Sequence, residues 1–262
     1  MTALGACYPV QIVEHPPLIC IPARLESTRL PRKLLLAESG RPLIVHTCQQ
    51  AAQAFGSQAV LVCADHPLLV DAVTAAGFRA LLTGAHHNSG TDRIAEAVAG
   101  FDNDLIINVQ GDEPEIDAQH IRCVAALLAD HSAAQMATLA TSGDADDQAD
   151  PNVVKVVLGH NQRAITFSRA PLIWDRDGCR SEQHCLRHLG IYAYRRQFLI
   201  DYHALPLSRL EQVEKLEQLR AIEAGHTIAC AVVENAAPGI DSRSDYDAFL
   251  ARLAAEQPAS EL

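Results

Sequence analysis

The sequence predicts an α/β fold built on a doubly wound sheet, and three observations carry that expectation. Short apolar runs end in proline or polar residues, amphipathic helix patterns lie between them, and the second half changes to a series of extended segments. The runs "LICIP" (18–22), "AVLVCAD" (59–65) and "DLIINVQGD" (104–112) do not alternate, so they read as parallel strands covered on both faces.

The helix patterns follow in order. "PLIVHTCQQAAQAF" (42–55) carries proline at a first helical position, "PLLVDAVTAAG" (67–77) closes on Gly77, and "TDRIAEAVAG" (91–100) closes on Gly100. Strand and helix alternating in this way is the pattern of crossover units. Past residue 130 come "MATLAT", "NVVKVVLG", "RAITFS" and "LRHLGIYAYR", then one helix, "LEQVEKLEQLRAIEAG" (210–225), a strand "TIACAVV", and a closing helix from residue 243. A mixed sheet fits this half. The expected organisation is a flexible extension over 1–17, a single domain over 18–255 with an inserted arm across 160–195, a linking loop "SGDADDQADPN" (142–152), and a tail over 256–262.

Composition narrows the function classes. At 262 residues the chain is long enough to bury about three quarters of the surface its unfolded form exposes. A net charge of −11 disfavours nucleic acid and anionic membrane as partners, because both select a basic face. No run approaches the roughly 18 apolar residues of a spanning helix, and residues 1–17 lack the pattern of a secretory signal, so the expected location is the cytoplasm. The eight cysteines are scattered, none in a Cys-x-x-Cys pair, and read as reduced core thiols.

Ligands of open α/β sheets sit beyond the carboxyl ends of the strands, which directs attention to residues 22–33, 88–93 and 110–114. The first, within "IPARLESTRLPRKLL", concentrates Arg24, Arg29, Arg32 and Lys33 in an acidic chain and adds the hydroxyls of Ser27 and Thr28. It has neither the P-loop pattern nor a Gly-x-Gly fingerprint, yet planar arginines and a lysine point charge are the groups that hold a polyphosphate. A solvated basic turn is the alternative. "NVQGDEP" sets Gln110, Asp112 and Glu113 after a buried strand, where carboxylates suit Mg²⁺ with substrate phosphates; the alternative is a helix-capping loop, the natural reading of Asp117. Asp241 in "GIDS" is either a second carboxylate of such a site or the N-cap of the last helix.

Three further groups stay open on the residues alone. Ser89 and Gly90 of "HNSGTDR" either face a base or ribose or simply cap the next helix. His184 and His188 are four apart, but the strand-like "LGIYAY" separates them and disfavours zinc, leaving His188 as a polar contact in a cleft or a core histidine. Glu211, Glu214 and Glu217 recur at helical spacing, where Glu211 with Lys215 makes a surface pair and at most one face looks into a site.

Taken together, "IPARLESTRLPRKLL", "HNSGTDRIAE", "INVQGDEP", "FSRAPLIWDRD", "LRHLGIYAYR", "LEQLR" and "GIDS" closely resemble the 3-deoxy-manno-octulosonate (Kdo) cytidylyltransferases, the CMP-Kdo synthetases of Gram-negative bacteria, in the family's order and across residues 18–250. The resemblance implies a Rossmann-like doubly wound mixed sheet of the nucleotide-diphospho-sugar transferase type with an inserted dimerisation arm, and a homodimer. It implies transfer of CMP from CTP to the anomeric hydroxyl of Kdo, with release of pyrophosphate, for lipopolysaccharide biosynthesis.

By the same resemblance, Arg24, Ser27, Arg29 and Lys33 hold the CTP triphosphate, and Ser89, Gly90 and Arg93 contact the cytidine. Asp112 and Asp241 hold Mg²⁺, and with Arg24 and Lys33 form the catalytic set. Gln110, Arg169, His188 and Glu217 line the sugar pocket, Arg169 taking the sugar carboxylate in a bidentate pair. Two positions depart from the family: Arg32 stands where glycine is frequent, and "GIDS" where "GVDT" is frequent. The competing readings are a cytidylyltransferase for 8-amino-Kdo or sialic acid, and a non-catalytic nucleotide-binding regulator.

Overall fold

The computed structural model describes residues 16–87, 89–173, 176 and 185–256. By contact the described chain divides into two compact units.

The first unit comprises residues 18–101, 108–118 and the described residues after 236. Its strands are β1 (Leu18–Ala23), β2 (Val60–Ala64) and β3 (Arg79–Leu82), and its helices α1 (Leu43–Phe55), α2 (Pro67–Ala75), α3 (Gly90–Val98) and the closing helix, introduced below as α9. β1 and β2 pair in parallel from Ile19 opposite Val60 to Ala23 opposite Ala64, and β3 continues the parallel order on the far side of β2. Ile19, Cys20, Ile21, Val60, Val62 and Cys63 are all fully buried, as non-alternating runs require, and each large apolar side chain removed from water contributes about 1.5–3 kcal/mol. β3 lies in a segment the periodicity passed over. Leu81 and Leu82 are both exposed, so this edge strand lacks the buried pattern of its neighbours.

Helix ends follow local chemistry. Pro67 is the first residue of α2, with His66 as N-cap, whereas Pro42 precedes α1 because its ψ of 143° is extended. α2 closes as expected at Gly77. The glycine takes φ +83°, and the N–H groups of Gly77 and Phe78 bond the carbonyls of Thr74 and Val73.

The second unit comprises the described residues of 1–17, 102–107 and 119–236. Its elements are β4 (Leu105–Asn108), α4 (Ala118–Asp130), β5 (Met136–Ser142), α5 (Ala145–Ala149), β6 (Lys155–Leu158), β7 (Ala164–Ser168), β8 (Leu186–Arg195), α6 (Arg196–Asp201), α7 (Arg209–Glu214), α8 (Gln218–Glu223) and β9 (Ile228–Val233). β5 is antiparallel to β8 and parallel to β9, so the predicted mixed sheet is present. β6 and β7 form an antiparallel hairpin. Residues 186–195, counted within the expected arm, are β8 and pair with β5 from Leu186 opposite Ser142 to Tyr194 opposite Met136.

Two expectations are corrected here. The 142–152 loop contains α5, started by a capping box in which Asp144 and Asp147 each accept the other's backbone N–H. The single helix over 210–225 is two helices, because Lys215 turns left-handed (φ 55°) and ends α7. The break separates Leu210 and Val213, which are exposed, from Leu216 and Leu219, which are buried. It also brings Arg220 back onto Glu211, with bonds of 2.7 and 2.5 Å, so Glu211 pairs with Arg220 rather than with Lys215.

α9 (Arg243–Glu256) completes the element order. Cys20, Cys48, Cys63, Cys123, Cys185 and Cys230 are free, and burial pushes the Cys48 and Cys230 thiols up to about 12, which suits inert core thiols. Cys7, Cys179, His184, most of "WDRD", the extension to residue 15 and the tail beyond 256 lie outside the described residues. Among the described residues no helix is long and apolar enough to cross a membrane.

Candidate active site

The site is built at the carboxyl end of β1. Leaving Ala23, the chain is pinned by the buried side chains of Leu25, Leu30 and Leu34, and the Leu25 N–H donates to Asp65 at 2.9 Å. Arg32 then adopts φ 51°, ψ 33°, and a short 3₁₀ turn at Lys33–Leu35 aims the lysine inward. With its apolar neighbours buried, Lys33 is carried under the surface while Arg24 and Arg29 remain exposed. Arg32 points outward, its side chain 4.0 Å from Glu26.

Lys33 Nζ is the centre of the cluster. It donates to Asp112 Oδ2 at 2.6 Å, to the Ile240 carbonyl at 2.5 Å and to Asp241 Oδ1 at 3.3 Å. Arg29 Nη2 reaches Asp241 Oδ2 at 3.1 Å. One buried ammonium thus gathers two carboxylates that are far apart in sequence. The backbone fixes the same meeting, since the Ile240 N–H donates to the Asp112 carbonyl at 2.9 Å. Behind Asp112, Thr47 of α1 donates to the Gly111 carbonyl at 2.9 Å. A Cβ at Gly111 would lie 3.1 Å from Ile44 and 3.2 Å from the Pro22 carbonyl, so glycine lets this turn approach β1 closely without pressing on it.

Register places Asp241 outside the helix cap. Ser242 immediately precedes α9 and exchanges hydrogen bonds with Asp245, the hydroxyl accepting the Asp245 N–H at 3.3 Å and the carboxylate accepting the Ser242 N–H at 2.7 Å. Asp241 is one residue outside that cap and its carboxylate faces Lys33 and Arg29. Beside Asp112, burial first and the Asp112 charge second push the Glu113 carboxyl up to about 8.

The other assigned residues distribute as follows. Ser89 is the N-cap of α3, accepting the Asp92 N–H at 3.0 Å, and Gly90 begins the helix where a Cβ would press on the Pro22 ring at 3.1 Å. Arg93 is fully buried. Its Nη1 donates to Thr83 Oγ1 at 2.7 Å and to the Gly84 carbonyl at 3.3 Å, and Asp65 stands 3.6 Å from Nη2. Burial draws the Arg93 pKa down and Asp65 opposes it. Asp65 therefore ties the Leu25 turn to α3, a role the sequence reading missed although the residue closes the "VLVCAD" run at a strand's carboxyl end. Gln110 donates to Asn108 Oδ1 at 3.4 Å. Ser27 is half-buried.

Arg169, His188 and Glu217 belong to the second unit. Arg169 donates from Nε to the Glu214 carbonyl at 2.9 Å and from Nη1 to the carbonyls of Pro151 and Asn152 at 3.1 and 3.3 Å, which locks the guanidinium. The Glu214 carboxylate accepts from Ser168 and from the Arg169 N–H. His188 Nε2 is 2.9 Å from Thr138 Oγ1, which also donates to the Ile191 carbonyl at 2.8 Å. Burial holds His188 down to about 3, in its neutral form. Glu217 opens α8, and its carbonyl accepts the Tyr202 hydroxyl at 2.5 Å.

A doubly wound sheet with cations and paired carboxylates at the carboxyl end of a parallel strand is the frame of a nucleotidyltransferase. The cytidylyltransferase family model matches residues 18–228. The 3-deoxy-manno-octulosonate cytidylyltransferase of Rhodopirellula baltica is 49% identical over 244 residues, covering 90% of this chain and 98% of that protein. The protein of the same name from Xanthomonas campestris pv. campestris is 44% identical over 250 residues, with 90% and 99% covered. A solved structure of CMP:2-keto-3-deoxy-manno-octonic acid synthetase complexed with CTP superposes with a TM-score of 0.88 at 40% identity, covering 93% of this chain and all of that one. A cytidylyltransferase from Leptospira borgpetersenii, 15% identical with a TM-score of 0.61 over 92% of this chain and 88% of its own, shares the fold. The chain belongs to the cytidylyltransferases, and among them to the 3-deoxy-manno-octulosonate cytidylyltransferase family.

Proposed function

We propose that this chain transfers CMP from CTP to the anomeric hydroxyl of Kdo and releases pyrophosphate. The observation that carries the reading is the buried Lys33 ammonium bridging Asp112 and Asp241, in a chain whose relatives, one of them solved with CTP, bear that activity in their names. In this reading Arg24, Ser27, Arg29 and Lys33 hold the triphosphate, the two arginines and the lysine meeting charge that grows as pyrophosphate leaves. Ser89, Gly90 and Arg93 position the cytidine. Arg93 acts from within, holding Thr83 and the Gly84 carbonyl in place.

The donor set fits Mg²⁺: two carboxylates, both partly open to solvent and already converging on one cation, are the protein share such an ion takes alongside substrate phosphates. Asp112 and Asp241 would hold it, and when bound it supplies charge neutralisation at the phosphate and acidification of the attacking hydroxyl. The chain's own residues do the rest. Lys33 turns from the carboxylates toward the phosphates as they arrive. Gln110, Arg169, His188 and Glu217 contact the sugar. A homodimer joined through the arm and a cytoplasmic, lipopolysaccharide-related role complete the reading.

Turnover of CTP with Kdo, 8-amino-Kdo and sialic acid, followed by pyrophosphate release, is the test. Preference for Kdo by tenfold or more supports the assignment, a higher kcat/KM for another acid moves the acceptor, and no turnover with any leaves a nucleotide-binding regulator.

A further inference from the structure

Away from the Asp112 and Asp241 carboxylates, the loop between β3 and α3 assembles a different donor set. His86, His87 and Glu96 each offer one ligand atom, and these atoms all lie within 4.8 Å of one another. His87 Nε2 contacts Glu96 Oε2 directly, and the rings of His86 and His87 lie 4.4 Å apart at 37°. Glu96 is reached from α3, and both of its oxygens accept the Gly84 N–H at 3.2 Å.

The direct contact between His87 and Glu96 accounts for two of these three side chains. It leaves the placement of His86 unexplained. The His86 ring fills the space a side chain at position 84 would occupy, for a Cβ on Gly84 would collide with its Cε1 and Nδ1. Glycine at 84 thus does two things at once: its N–H orients the carboxylate, and its missing side chain admits the second imidazole.

We propose that His86, His87 and Glu96 form a second metal site, selective for a borderline transition ion such as Zn²⁺. Two imidazoles and one carboxylate are a zinc ligand set that leaves a fourth position for water, and His86 and Glu96 are both exposed, so the ion has a path in. Ligands on a tetrahedral zinc stand about 3.4 Å from one another, so small ring rotations close the observed cluster. Imidazole disfavours Mg²⁺, which takes oxygen donors, and the two sites thereby sort different ions. An ion here ties the 84–87 turn to α3 and steadies the approach to Ser89 and Gly90, linking metal supply to the nucleotide segment.

The experiment titrates Zn²⁺ into the metal-free, thiol-reduced full chain against a chromophoric chelator, with excess Mg²⁺ present. The expected result is one Zn²⁺ per chain, an affinity at least about tenfold weaker in both His86→Ala and Glu96→Gln, and a zinc-dependent rise in Tm that both variants lose. Gly84→Ala, which removes no ligand but displaces the His86 ring, weakens binding as well, whereas Asp112→Asn leaves it unchanged. Co²⁺ in place of Zn²⁺ shows tetrahedral bands without thiolate-to-cobalt charge transfer, which separates this site from the cysteines. No stoichiometric binding, binding undiminished in both ligand variants, or a thiolate band overturns the proposal.

Discussion

Lys33 Nζ lies 2.6 Å from Asp112 Oδ2, and the lysine is only 7% exposed while Asp112 stays open to solvent. A charge so placed is preorganised: its desolvation cost has been met in folding, and its carboxylate partner is one that substrate can replace. Lys33→Ala should lower kcat/KM for CTP by about 100- to 1,000-fold, the scale for removing one fixed charge at a reacting centre. The fold should survive, since the carboxylates left behind reach water. Near wild-type steady-state turnover would remove the lysine from the mechanism.

Asp241 and Ser242 are adjacent, yet the structure gives them separate tasks, and the pair makes a clean comparison. Ser242→Ala removes the cap of α9 and should cost about 1 kcal/mol, a drop in Tm of roughly 2–4 °C, with kcat retained. Asp241→Asn should do the reverse, collapsing kcat at saturating substrates with Tm nearly constant. Calorimetry and kinetics on both proteins check this, and an active Asp241→Asn would leave Asp112 as the one carboxylate assigned to the metal.

Arg32 holds a left-handed backbone without the freedom of glycine, at a cost of roughly 1–2 kcal/mol, and its side chain turns outward to Glu26. Arg32→Gly should therefore raise Tm slightly or leave it unchanged, glycine's own entropy offsetting part of the relief, and keep kcat/KM within about twofold. A tenfold loss of kcat/KM would instead place Arg32 on the phosphates.

His188 is neutral in the folded chain because burial holds it near 3, against an ordinary value of 6.5. Its folded pKa is depressed, so protons favour the unfolded chain: this stability is complete above pH 6.5 and is lost as pH falls toward 3. Between pH 6.5 and 4 the wild-type Tm should decline by on the order of 3 °C per pH unit from this group, and His188→Gln should flatten that limb. Identical acid limbs in thermal melts of the two proteins would show that His188 is solvated.

The strands β1 and β2 were legible because burial on both faces leaves a local mark. Ile19 to Ile21 and Val60 to Cys63 need no partner to announce themselves. The basic stretch and the carboxylates after buried strands were legible for a similar reason, since charge beside an apolar run is a local contradiction that a ligand resolves. The break at Lys215 was hidden because Leu210, Val213, Leu216 and Leu219 keep one helical spacing through it. Only the packed chain shows that the first two leave the core while the last two enter it.

By itself, then, the sequence determined the buried strands β1 and β2, the apolar faces of the helices between them and the kinds of charged group available at each strand end, all set by interactions within a few residues. Tertiary structure decided which of those groups meet. Asp112 lies 79 positions from Lys33, and Asp241 208 positions from it. Their encounter depends on the Ile240 N–H to Asp112 carbonyl bond and on a turn that brings Gly111 close against β1. That Ser242 rather than Asp241 caps α9 turned on a single residue of register at the start of that helix. Such choices belong to the fold, because the energy of a buried ion or a shared carboxylate is set by what surrounds it, and those surroundings come from distant parts of the chain.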